Sequence, residues 1–175
     1  MPLLSKEQKN QELVEIKDFL NELDFAAAIL PSGPWAEQDS LLIHLPTDAE
    51  VEWDSEDLPD NAYIAVGNLL QLDEEDERQL TKYLMFYFML PEIIVQGKEA
   101  EALMIVNEMN QIIRMGSFFF GEGQGPDGVN NYIQYRLTIG ASTEDSFDEG
   151  VVGEAIIEMG MYYDIVKEKV ETFLK

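Results

Sequence analysis

The run Lys82 to Leu90, KYLMFYFML, constrains this chain more than any other stretch. Its alternate residues are apolar on both sides: Tyr83, Met85, Tyr87 and Met89 on one, Leu84, Phe86, Phe88 and Leu90 on the other. The aromatic density and the following Pro91 favour a strand over a buried helix. A strand with two apolar faces is expected at the centre of a sheet, covered on both sides.

The rest of the chain is read around that strand. Ser5 and Gln8 have capping-box spacing, and Leu13, Ile16, Leu20 and Leu23 follow at helical intervals, so a helix is expected from Ser5 to about Asp24. Phe25 to Leu30 reads as a short strand, and Leu41, Ile43 and Leu45 alternate as a second. Thr47 to Asn61 reads as an acidic loop, Tyr63 to Leu72 as a strand, and Asp73 to Glu77 as a second acidic run. Lys98 to Ile113 predicts a helix with Leu103, Val106, Asn110 and Ile113 on one stripe and Ala102, Ile105, Met109 and Ile112 beside it, stopped by Gly116. Ser117 to Phe120 begins a strand, Gly121 to Gly128 reads as a glycine-rich turn, and Tyr132 to Ile139 returns antiparallel.

Ser146 and Glu149 again have capping-box spacing, ahead of a long helix. Its apolar stripe is Val152, Ile156, Met159, Tyr163, Val166, Val170 and Phe173, widened by Ile157, Tyr162 and Ile165; Glu158 and Glu168 fall off it. Strands grouped between helices predict an α+β fold: an antiparallel sheet with helices packed on it, in the order α-β-β-β(-β)-α-β-β-α. At 175 residues one domain, 1–175, is expected.

Charge narrows the function classes. Eleven basic residues stand against thirty-five acidic ones, a formal net charge of -24. Nucleic acid and anionic membrane surfaces are both held through Lys and Arg, so neither is expected as a partner. With no cysteine in the chain, disulfides and thiolate metal sites are excluded. The start of the chain lacks the apolar core of a secretory signal, and no apolar run approaches the roughly 20 residues that span a bilayer; a cytoplasmic protein is expected.

Motifs for chemistry fail on context. Gly123 to Gly128 matches G-x-G-x-x-G as text, yet a strand follows it where the dinucleotide fingerprint needs a helix N-terminus. The acidic runs lack the glycine and terminal glutamate of a calcium loop. His44, the only histidine, lies within an apolar strand and reads as structural. Ser117 lacks the second glycine of a nucleophile elbow. No catalytic residue, cofactor or metal ligand is therefore assigned.

The order of elements resembles the type III secretion chaperone-like fold, and more closely its YbjN-like branch. The resemblance rests on a strand ending in Leu90-Pro91, a helix bearing Asn107 and Asn110, Met115-Gly-Ser-Phe118 at a strand start, Tyr135-Arg-Leu137 in the return strand, and the final amphipathic helix. It implies a small acidic homodimer that holds a segment of another protein on apolar surface, and no catalytic residues.

Apolar sheet surface left uncovered by one long and two shorter helices would be an interaction site or a dimer interface. The candidate partner-binding residues are Tyr83, Met85, Tyr87, Met89 and Phe119, with Trp53, a loop residue that either caps the core or is an exposed anchor. The expected function is a non-catalytic, chaperone-like or adaptor module binding a protein segment or a second copy. A small enzyme using carboxylates, and an acidic nucleic-acid mimic regulating a basic protein, are the alternatives.

Overall fold

The computed structural model describes residues 4–33, 38–45, 64–70, 80–125 and 128–173. The element order is α1 (Lys6–Glu22), β1 (Ala27–Leu30), β2 (Ser40–His44), β3 (Ile64–Leu70), β4 (Thr81–Met89), α2 (Glu99–Ile112), β5 (Ser117–Gly125), β6 (Gly128–Ser142) and α3 (Glu149–Phe173). The six strands form one antiparallel sheet in the order β1-β2-β3-β4-β6-β5. The α+β order is the expected one, with β1 as the fourth strand before α2.

Local chemistry explains the first half. The Ser5 hydroxyl accepts from the Gln8 N–H at 3.2 Å, and the Gln8 side chain accepts from the Ser5 N–H at 2.8 Å, closing the capping box of α1. Leu13, Ile16 and Leu20 form its buried stripe. Asp24, at φ 64°, then turns the chain, and Asn21 holds the turn by accepting from the Ala27 N–H at 2.9 Å.

All three helices lie on one face of the sheet. The helix-facing residues of the central strands are buried, among them Leu41, Ile43, Ala65, Leu69, Leu84, Phe86 and Phe88. The 25-residue α3, about 37 Å long at about 1.5 Å per residue, packs beneath β4 and β6. Tyr163 of α3 meets Phe88 of β4 with ring centroids 5.2 Å apart, and Tyr162 meets Tyr135 of β6 at 5.8 Å. α1 flanks α3 where Gly153 faces Phe19 and Leu23. On the other side Asn110 of α2 reaches β5.

Several local expectations need correction. β5 keeps its pairing with β6 through Gly121, Gly123 and Gly125, so the glycine stretch is strand rather than turn. The cap of α3 is Asp148, whose carboxylate accepts from the Val151 N–H at 2.9 Å; Ser146 does not cap it. In α2 the buried residues are Ala102, Ile105, Val106 and Met109, while Leu103 and Ile112 are exposed, a rotation of the expected stripe. Ile157 of α3 is exposed, and Glu158 is buried. The expected loops Thr47–Asn61 and Asp73–Glu77 lie outside the described residues.

The expectation of cover on both faces of β4 also fails among the described residues. Lys82, at the start of the strand, is 2 % exposed on the helix side. Its ammonium donates to Glu12 Oε1 of α1 at 2.5 Å and sits 5.3 Å from the centroid of the Phe147 ring. The opposite face carries no described helix.

Candidate partner-binding face

Register brings the side chains opposite the helices into rows. One row crosses the whole sheet: Ala28, Leu42, Val66, Tyr87, Arg136 and Ser117. Beside it runs Leu30–Ser40, continued by Asn68–Met85–Thr138, the two halves joined by a 2.7 Å hydrogen bond from the Ser40 hydroxyl to Asn68 Oδ1. Leu70–Tyr83–Gly140 forms the next row. On the other side lie His44–Ile64 and Met89–Gln134–Phe119, followed by Tyr132–Gly121.

Four of the expected residues, Tyr83, Met85, Tyr87 and Met89, therefore share this face of β4, and Phe119 joins them from β5, across β6. All five are half-buried by their sheet neighbours. Trp53 lies outside the described residues. The sequence reading missed Leu42, Ile64, Val66 and Leu70, which extend the apolar surface across β2 and β3. Alternation pointed to these positions, but joining them to β4 requires the strand register, which alternation does not supply.

The rows contain no Asp or Glu. The one formally charged side chain on them is Arg136, which is exposed and whose guanidinium lies 5.6 Å from the centroid of the Phe119 ring. His44 sits at the margin of the face, where burial lowers its pKa and favours the neutral imidazole. The corner nearest the β5–β6 hairpin is tightly closed: Tyr132 is 1 % exposed, and a Cβ on Gly123 would come within 2.6 Å of Met89 Sδ. A side chain at 123 would push the methionine out of that corner.

The helix layer also shows apolar side chains, Leu103, Met104 and Ile112 on α2 and Met161 on α3. They are interleaved with Glu101, Glu108 and Asp164, so that surface lacks the acid-free continuity of the sheet face. Depressions beside α1 are mixed or polar in lining. One of about 410 Å³ sets Leu4, Leu13 and Leu69 beside Lys6, Lys9 and Asp39, and one of about 240 Å³ is lined mainly by polar groups, among them Glu12, Glu15, Lys82 and Glu144. In the first, Asp39 accepts from the Ser32 N–H at 2.6 Å, which holds its carboxyl below the usual range. That stabilises the ionised form, the opposite of what a general acid requires.

Beneath the sheet, Phe88, Phe118, Tyr135, Tyr162 and Tyr163 form an aromatic cluster with centroid separations of 5.0 to 5.9 Å. The Tyr135 hydroxyl donates to the Met115 carbonyl at 2.7 Å, and the Tyr162 hydroxyl donates to buried Glu158 while accepting from the Arg114 N–H at 3.0 Å. Burial raises the pKa of both phenols, so they stay neutral and able to donate. This cluster packs under β4 and β6, the strands whose other face carries Tyr83, Met85, Tyr87 and Arg136.

Among the described residues no helix is long and apolar enough to cross a membrane, and no group of three or more His, Asp or Glu could hold a metal ion. Comparison with protein-family models, with curated proteins and with solved structures returns no match.

Proposed function

We propose that this chain is a non-catalytic protein-binding module, chaperone-like or adaptor-like, that holds a segment of another protein or a second copy of itself on the open sheet face. One observation carries the reading: Tyr83, Met85, Tyr87, Leu42, Val66 and Phe119 are gathered by register onto a face that no described element covers. Apolar area removed from water is worth about 25 cal/mol per Å², so such a surface favours an occupant. Tyrosine and methionine suit it, because tyrosine combines an apolar ring with a polar tip and methionine adapts to varied shapes. The type III secretion chaperone-like resemblance, with its YbjN-like branch, belongs to the same proposal, as does a cytoplasmic setting.

A neutral environment-sensitive dye tests the reading, since an anionic dye would be repelled by the net charge of -24. Wild-type protein is expected to bind it, and Tyr87→Glu and Met85→Glu to bind at least about fivefold less, with unchanged circular dichroism, because both positions lie outside the core. Equal dye binding by all three would overturn the proposal.

A further inference from the structure

The distribution of charge, rather than its amount, narrows the occupant. One residue in five of this chain is Asp or Glu (35 of 175), yet the rows of the open face hold none. Among the described residues the carboxylates lie outside those rows, and the centre of the face presents Tyr87 beside Arg136. An apolar platform within a strongly negative body has a specific complement.

We infer that the occupant is a cationic amphipathic segment of another protein, with an apolar stripe for Tyr83, Met85 and Tyr87 and Lys or Arg beside it to complement a chain of net charge -24; this rests on the open-face reading above. Three arguments carry it. Long-range attraction to a body of net charge -24 steers a basic segment in and turns acidic ones away. The absence of carboxylates from the face means that apolar side chains dock there without burying an unpaired anion. A second copy fits less well: face-to-face sheets pack about 10 Å apart, close to the Debye length of about 8 Å at 0.15 M salt, so two bodies of -24 would meet with their repulsion only partly screened. Arg136 adds N–H donors for carbonyls of the seated segment, which helps to set its position.

The test uses four synthetic peptides of about 18 residues, some five helical turns: Leu with Lys, Leu with Gln, Leu with Glu, and Gln with Lys. Binding to the full chain is measured by fluorescence anisotropy at about 0.15 M and about 1 M NaCl, where the Debye length falls from about 8 to about 3 Å. The Leu/Lys peptide is expected to bind at least about tenfold more tightly than the other three at the lower salt, and to lose most of that margin at the higher. Tyr87→Glu is expected to weaken Leu/Lys binding at least about tenfold although it adds a negative charge; pure charge attraction would strengthen it. If Leu/Gln binds as tightly as Leu/Lys, the cationic occupant is refuted and the open-face reading stands. If Gln/Lys binds as well as Leu/Lys, or Tyr87→Glu strengthens binding, the attraction lies elsewhere on the surface and the inference is refuted. A dimer in sedimentation that excludes the peptide and is dispersed by Tyr87→Glu would assign the face to a second copy instead. If no apolar peptide and no dye senses Tyr87, the open-face reading falls as well.

Discussion

A methyl group at position 116 has nowhere to go. Gly116 has φ +71°, and a Cβ there would lie 2.4 Å from the Tyr135 hydroxyl and 2.6 Å from the Arg136 carbonyl. The same hydroxyl donates to Met115, so the glycine, the tyrosine and the start of β5 form one interlocked turn. Gly116→Ala is expected to cost at least about 2 kcal/mol in chemical denaturation, from left-handed strain plus the displaced hydrogen bond. The quoted pair Met115-Gly-Ser-Phe118 and Tyr135-Arg-Leu137 was legible as sequence, but its meaning as a contact was not, because the two halves meet only across β5 and β6. Glu158 gives the opposite lesson. Helical periodicity places it off the apolar stripe of α3, beside Glu168 in kind, yet it is buried and accepts from Tyr162. Glu158→Ala should therefore lose about 1–3 kcal/mol, leaving the Tyr162 hydroxyl without that acceptor, whereas Glu168→Ala should stay within about 0.5 kcal/mol. Matched thermal melts of the two variants decide this.

Between elements, the ion pair of Lys82 with Glu12 joins β4 to α1 across 70 residues of sequence. Position 82 reads as the polar flank of a strand; nothing nearby in the chain marks its burial, since the partner arrives on another element. Lysine is 2 % exposed and glutamate 18 %, and Glu12 Oε2 has no hydrogen-bond partner. The pair is thus a constraint on how α1 seats more than a large source of stability. Lys82→Met alone is expected to cost about 1–3 kcal/mol by stranding a mostly buried carboxylate, and adding Glu12→Met should recover most of it. A double-mutant cycle in urea measures the coupling; simple additivity would show that the two groups do not depend on each other. The elements themselves were legible from periods of two and three to four. Their caps and stripe edges shifted, at Asp148 and at Leu103, where tertiary packing chose among near-equivalent local options.

At the scale of the molecule, a net charge of -24 on a folded body is self-repulsive. Thermal midpoints are expected to rise by several degrees between about 0.01 and about 0.3 M NaCl as the Debye length shortens from about 30 Å. An unchanged or falling midpoint would mean that the carboxylates are spaced widely enough to ignore one another. The doubly apolar pattern of β4 predicts cover on both sides, whereas the described helices all dock on one, and where helices dock is a property of the whole sheet. The borders of that sheet behave differently from its breadth. At the β5 margin the Asn110 carboxamide donates to the Phe118 carbonyl at 3.0 Å and accepts from its N–H at 2.7 Å, doing what a seventh strand would do. β1, at the other margin, offers only four residues. A neighbouring molecule that tries to zip on at either side finds a plugged position or too short a ladder. Edge-on addition of a further strand is thereby disfavoured at Phe118 and along the short β1.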